Sequence, residues 1–190
     1  MHSLVVVSHP NPNSLTHAVA HTIMAEMKGL QRSVELADLH REGFDPVFTM
    51  TDVDVHLGKS TLPADIVAEQ KRIEGAESLV LVFPIYWWSL PAMLKGWIDR
   101  VFVNGWAYDD SSSDKLVKKL EWLPVHWVAL AGADMRTYAR HGYFGAMKSQ
   151  ISHGIFDYCG AKVKTSELLV GDGPEAHLQA ARGLAARIAA

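Results

Sequence analysis

The stretch Ser78-Leu-Val-Leu-Val-Phe83 constrains the fold more than any other in this chain. Its apolar residues run without alternation, so a strand built from them has no face to give to water and must be covered on both sides. Leu4-Val5-Val6-Val7 and Val125 to Ala131 read the same way, with further strands over Ser33 to Leu39 and Lys162 to Val170. Between them lie segments of helical periodicity. Ser14 or Asn13 caps one that carries Leu15, Ala18, Val19, Thr22, Ile23 and Met27. Others cover Asp65 to Ala76, Pro91 through Val103, Gly145 to Tyr158 and Glu175 to Ile188. Pro91 stands in a first turn, where no N–H is needed. Strand and helix in alternation imply right-handed crossovers and a doubly wound parallel α/β sheet with helices on both faces. The segment around Asp45-Pro46 and the polar run Asp109 to Asp114 read as loops. No repeat or linker interrupts the 190 residues, which make one domain.

Composition removes several classes of function. The net charge is -3 and the basic residues form no cluster, so neither nucleic acid nor an anionic membrane is an expected partner. The single cysteine, Cys159, excludes an internal disulfide, and its apolar surroundings from Ile155 to Gly160 make it a buried thiol. A strand that begins at residue 3 leaves no room for a leader, and no apolar run reaches membrane-spanning length, so a cytoplasmic protein is expected. His17 and His21 are four apart on a helix, a spacing that can hold zinc. No acidic third ligand stands at a matching position, so they read as surface histidines and no metal is expected. A Ser-His-Asp hydrolase is set aside because no G-x-S-x-G elbow exists.

Ligands of open parallel sheets bind beyond the carboxyl ends of the strands. Three loops qualify. Ser8 to Thr16 combines His9, Asn13 and Ser14 with a helix start, where free N–H groups and the helix dipole attract an anion. It reads equally as a capped helix. Pro84-Ile85-Tyr86-Trp87-Trp88-Ser89-Leu90-Pro91 sets adjacent aromatics at the end of a buried strand, where their side chains diverge. They either line a wall for a flat conjugated ring or divide between a helix contact and a dimer contact. Ala131-Gly132-Ala133-Asp134 offers small residues where a ligand could approach the backbone, with Tyr138, Arg140 and His141 following as donors.

Around the second loop the residues become specific. Ala64 to Lys71, Phe83-Pro84-Ile85-Tyr86-Trp87-Trp88 and Pro91-Ala92-Met93-Leu94-Lys95-Gly96-Trp97-Ile98-Asp99-Arg100-Val101-Phe102 resemble the NAD(P)H:quinone oxidoreductase (diaphorase) family. The resemblance extends over about residues 3 to 160, includes Ser8-His9-Pro10 and Ser14-Leu15-Thr16, and is closest to the shorter bacterial type, without the C-terminal extension of the animal enzymes. It implies a flavodoxin-like sheet of five strands in the order 2-1-3-4-5, a bound flavin, and a homodimer with active sites at the interface. By the resemblance, His9, Asn13, Ser14, Leu15 and Thr16 hold the flavin's phosphate and ribityl chain, with Gln70 nearby. Pro84, Ile85, Tyr86, Trp87 and Trp88 line the ring, Ala131, Gly132 and Ala133 border its pyrimidine end, and Tyr138 matches the active-site tyrosine.

The chain departs from the family in its third loop and at the active-site histidine. The family's third loop reads T-T-G-G where this chain has Leu130-Ala131-Gly132-Ala133, and its active-site histidine aligns with Phe144, leaving His141 as the substitute. The implied reaction is two-electron hydride transfer from NAD(P)H through flavin N5 to a quinone-like acceptor. Backbone N–H groups of Ile85 to Trp88 face the charge that develops on the reduced ring. Tyr138 and His141 act as hydrogen-bond or proton donors, and Trp87, Trp88 and Tyr143 shape the acceptor pocket. FAD is the expected cofactor, with FMN as alternative. Arg136 and Arg140 hint at a site for the extra phosphate of NADPH. The rival reading is a flavin-binding regulatory subunit or electron carrier, although a carrier's strongly acidic face is missing.

Overall fold

Successive side chains of a strand point to opposite faces of its sheet, and here both sets are apolar. In the computed structural model, which describes residues 2–111, 115–171 and 173–189, Leu4, Val6, Leu79, Leu81, Phe83, Trp127 and Ala129 enter one core. Val5, Val7, Val80, Val82, Val128 and Leu130 enter the other. The described residues form β1 (His2–Val7), β2 (Ser33–Asp38), β3 (Ser78–Pro84), β4 (Tyr108–Asp109), β5 (Val117–Lys118), β6 (Pro124–Leu130) and β7 (Lys162–Leu169). Five of them make one parallel sheet in the order β2-β1-β3-β6-β7. This is the doubly wound order expected, with β6 and β7 as its fourth and fifth strands.

Helices α1 (Leu15–Gly29), α3 (Ala64–Glu74) and α4 (Ala92–Val101) lie close to their expected places. The long helix before β7 begins as α6 (Tyr143–Met147) and continues over Lys148–Asp157 as a π-helix. Its wider i→i+5 turns are rare and often stand beside functional sites. The chain closes with α7 (Gly173–Ala189), which packs with α1 over one face of the sheet.

Two helices depart from the expected loops. Met50–His56 forms α2, capped by a box in which Thr49 and Asp52 bond reciprocally, and Met135–His141 forms α5. Asp134 accepts the Thr137 N–H at the start of α5, and Gly142 ends it at φ +67°. Both carried cap signals that weak apolar periodicity concealed. In the polar run 109–114, Asp109 pairs across the β4–β5 ribbon, while residues 112–114 lie outside the described residues.

Buried charges and one close approach position the segment between β2 and α3. Arg100 donates from Nη1 to the Asp45 carbonyl at 2.7 Å and from Nε to Asp52 Oδ1 at 3.0 Å. Gly96 lies so close to Pro46 that a Cβ there would stand 2.2 Å from the proline carbonyl oxygen, which explains a glycine inside α4. Cys159 is buried, and burial pushes its thiol up to about 11, as a structural role requires. Among the described residues no helix is long and apolar enough to cross a membrane.

Candidate active site

The sheet register brings the starts of the three loops side by side. Val7 stands opposite Val82, Pro84 opposite Leu130, and Leu130 opposite Leu169. One residue further on, Ser8 donates its N–H to the Val82 carbonyl, Ile85 to Leu130 and Ala131 to Leu169, at 3.2, 2.9 and 2.8 Å. The loops therefore leave one edge of the sheet from adjacent strands.

The loop after β1 is organised by its own short-range bonds. His9 Nδ1 accepts the Asn11 N–H at 3.0 Å, and Asn11 Oδ1 accepts the Asn13 N–H at 2.9 Å. Ser14 is the N-cap of α1, its Oγ accepting the His17 N–H at 3.2 Å. The N–H groups of Leu15 and Thr16 keep no acceptor, as the first turn of a helix leaves them. At the root of the loop, Ser8 Oγ is buried without a hydrogen-bond partner, alone in this among the described residues. His9, Asn13, Ser14, Leu15 and Thr16 thus share one corner.

His17 corrects the surface reading given to it and His21. His21 is exposed, but His17 is buried because Asp38, at the end of β2, receives its Nε2 at 3.0 Å. Its Nδ1 is 2.9 Å from Ser14 Oγ. The sequence marks Ser8 only as the first residue of its loop, and Asp38 carries no signal, since it sits at the end of a strand whose partners only the register reveals. Among the described residues no group of three or more His, Cys, Asp or Glu could hold a metal ion.

The turn after β3 is built differently. Tyr86 and Ser89 exchange N–H···O bonds of 3.2 and 3.1 Å, closing a turn whose central residues are Trp87 at φ 50° and Trp88 at φ 61°. Two left-handed residues in succession make a mirror-image type I turn, normally the place of Asn-Gly. Ile85 and Tyr86 spend their N–H groups on Leu130 and Ser89, so Trp87 and Trp88 alone keep free amides. That narrows the donor set expected of Ile85 to Trp88. Trp88 stacks on Tyr143 (centroids 3.9 Å apart, 13° between planes) and meets Tyr138 edge-on at 5.5 Å. Trp87 faces outward, 92% exposed. Ser89 Oγ donates to Gln150 Oε1 at 2.9 Å and ties the turn to the π-helix.

The third loop and α5 complete the group. Space above Gly132 is open, and Ala131 and Ala133 are half-buried beside it. Tyr138 is buried, which raises its phenol pKa, and no described residue hydrogen-bonds its hydroxyl. His141 is exposed and stacks on Tyr143 at 5.1 Å. Phe144 is half-buried and packs edge-on against Trp127 at 5.8 Å, so the position aligned with the family's histidine rests against the core. Arg136 and Arg140 lie exposed on α5. Gln70 is the residue not brought to the cluster: it is buried on α3 and donates to the Val101 carbonyl at 2.9 Å.

These groups fit a phosphate-bearing planar ligand such as a flavin. Two free first-turn N–H groups and a buried unpaired hydroxyl flank the anion corner, and two further free amides border the aromatic wall.

Comparison with known proteins places the fold in a family. The family model described as flavodoxin-like fold matches residues 1–190. Ribosyldihydronicotinamide dehydrogenase [quinone] of Pongo abelii is 30% identical over 187 residues, 87% of this chain and 79% of that protein. An uncharacterised NAD(P)H oxidoreductase of Escherichia coli, YcaK, is 36% identical over 143 residues, 73% of this chain and 68% of that one. Among solved structures, an NAD(P)H:quinone oxidoreductase from Methanothermobacter marburgensis superposes with a TM-score of 0.91 at 24% identity, covering 99% of this chain and 98% of that one. The chain belongs to the flavodoxin-like family that contains the quinone-reducing NAD(P)H and ribosyldihydronicotinamide dehydrogenases.

Proposed function

We propose that this protein is a flavin-dependent NAD(P)H:quinone oxidoreductase. The observation that carries the reading is the juxtaposition, at one sheet edge, of uncommitted N–H groups at Leu15, Thr16, Trp87 and Trp88 with the stacked Trp88 and Tyr143. The flavin, when bound, supplies two-electron transfer between the nicotinamide and the acceptor. The protein's own part is binding, orientation and charge. The start of α1 and His9, Asn13, Ser14 and Thr16 receive the phosphate. The Trp87 and Trp88 amides face negative charge on the ring. Ala131, Gly132 and Ala133 leave its pyrimidine end room.

Tyr138, desolvated and free at its hydroxyl, donates a hydrogen bond to the ring or the acceptor oxygen. His141, stacked at the rim, is the second donor. FAD is the preferred cofactor and FMN the alternative; a structural neighbour, general stress protein 14 of Treponema denticola, was solved in complex with FMN. The nearly bare indole of Trp87 is a surface that a second copy would cover, as a homodimer with interfacial active sites requires. A cytoplasmic location completes the reading.

The test is an anaerobic visible spectrum of the purified protein before and after one equivalent of NADH or NADPH, followed by a quinone. Flavin bands that bleach with the nucleotide and return with the quinone are expected, and the faster nucleotide names the donor. Bands that nucleotide leaves unchanged would point to the regulatory or carrier role instead. A colourless protein that neither FAD nor FMN reconstitutes would end the flavin reading.

A further inference from the structure

Beneath the first turn of α1 lies a chain of hydrogen bonds that the proposed reaction does not use. Ser14 Oγ, His17 Nδ1, His17 Nε2 and Asp38 Oδ2 follow one another at 2.9 and 3.0 Å on either side of the imidazole. The His17 and Asp38 side chains are 4% and 8% exposed, so the pair is shielded from solvent. Asp38 is further engaged by the Arg41 N–H at Oδ1, at 3.2 Å.

The proton inventory of this chain decides what Ser14 can offer a ligand. With a neutral imidazole, Nε2–H donates to Asp38 and the bare Nδ1 accepts the Ser14 hydroxyl proton. Ser14 Oγ also accepts the His17 N–H. The hydroxyl then turns only its one remaining lone pair outward, and this repels a phosphate. With an imidazolium, Nδ1–H donates to Ser14 Oγ and the serine proton is free to point out of the cap. Oγ now accepts from the ring and the backbone and donates to an anion beyond them.

We propose that His17 is a positioning residue: its protonation, supported by Asp38, turns the Ser14 hydroxyl toward the phosphate of the flavin, so that phosphate binding draws one proton onto the imidazole. The inference rests on the flavin reading above. The binding linkage is reciprocal, because whatever protonates His17 tightens the phosphate and the phosphate favours the imidazolium.

The groups facing His17 are few. Asp38 opposes it from β2, and Arg41 reaches the same carboxylate through its backbone. His9, from the loop after β1, has its ring 6.4 Å away edge-on, and His21, on α1 itself, lies at 6.3 Å. His40 lines the same cavity of about 390 Å³ with His9, His17, Asp38 and Arg41, and its pKa is lowered by burial, raised by Asp38, and lowered by His9 and His17. Of these, only His17 bonds Ser14.

The test compares FMN with riboflavin, which lacks the phosphate, by quenching of flavin fluorescence on flavin-stripped protein between about pH 5.5 and 8.5, around the ordinary histidine range. Wild type is set against His17→Gln, which keeps an amide donor but does not titrate. The ratio of the two proteins' dissociation constants cancels the ionisation of FMN itself. For FMN it should be about tenfold in favour of wild type at the acid end, the worth of one hydrogen bond to a charged group, and approach one at the alkaline end. For riboflavin it should stay at one throughout. A ratio for FMN that does not vary with pH would overturn the proposal, as would an equal variation for riboflavin.

Should His17→Gln fail to fold, wild type with ¹⁵N-labelled histidine answers the same question. FMN, and not riboflavin, should convert a buried ring from the imidazole to the imidazolium signature, and no conversion overturns the proposal. A wild type that binds none of FAD, FMN and riboflavin removes the flavin reading itself, an outcome distinct from both.

Discussion

The loop after β1 and the turn after β3 serve the same edge of the sheet but are held there by opposite means. In the first, the short-range partners of His9, Asn11, Asn13 and Ser14 lie within three residues along the chain, and the backbone is relaxed. In the second, Trp87 and Trp88 sit in left-handed conformations that cost on the order of 1–3 kcal/mol each in a non-glycine residue. Tyr143, Tyr138 and Gln150, from 49 or more residues away along the chain, hold them there through the stack, the edge contact and the Ser89 bond. An anion cap can be made locally. A wall for a ring needs aromatic side chains aimed away from the core they would otherwise enter, and strain is what aims them.

The largest effect expected is global and sets the baseline for that contrast. His126, on β6, has its pKa depressed to about 4, chiefly by burial, with Lys164 and Arg187 adding to it. Above the ordinary histidine pKa both folded and unfolded chains are neutral there. As pH falls below that value the unfolded chain takes up a proton that the folded one refuses, until the folded pKa is reached. Stability should therefore fall by about 3 kcal/mol between roughly pH 6.5 and 4. Urea unfolding at the two ends of that range, followed by both circular dichroism and tryptophan fluorescence, measures it. Coincident curves mean that both regions melt with the sheet; an earlier fluorescence transition would show the strained turn opening alone.

Next comes chemistry at the strained side. Tyr138→Phe keeps the edge contact with Trp88 and removes only the hydroxyl. Turnover with quinone should drop about tenfold, the worth of one hydrogen bond, while the flavin stays bound. Unchanged steady-state turnover would remove Tyr138 from the mechanism. On the relaxed side, Ser14→Ala removes the cap of α1 and should lower stability by about 1 kcal/mol in a thermal melt. Its loss of flavin affinity should be confined to the phosphate-bearing forms. The smallest effect has the opposite sign. Trp87→Gly relieves a left-handed residue at a side chain that buries almost nothing, and the strain released exceeds the roughly 0.5–1 kcal/mol that glycine costs in backbone entropy. The separated subunit should melt slightly higher, and this gain should disappear at protein concentrations where the proposed dimer forms and a second copy covers the indole; a lower melting point in the separated subunit would mean that the indole is packed within one chain.

Much of this was legible in the residues. The unbroken apolar runs at Leu4–Val7 and Ser78–Phe83 declared strands covered on both faces, and Ser14 declared a helix start, because these signals act within a few residues of themselves. The helices α2 and α5 were missed although Thr49, Asp52, Asp134 and Gly142 marked their ends, since short helices with little apolar face owe their place to packing rather than periodicity. Gln70 stands apart from the other candidate residues for a related reason. Its neighbourhood in the motif pointed to the site, while its amide is drawn to a carbonyl at the end of α4.

What the sequence determined by itself was the alternation of buried strands and capped helices, and with it the class of fold and the three candidate loops. Those depend on the solubility of side chains and the hydrogen-bonding needs of a few consecutive residues. Only the tertiary structure decided that His17 is buried against Asp38, that Trp88 lies flat on Tyr143, and that Ser8 keeps an unpaired hydroxyl. Each of these depends on which strand lies beside which and in what register. That choice is made by the packing of the whole sheet, and no short stretch of chain carries it.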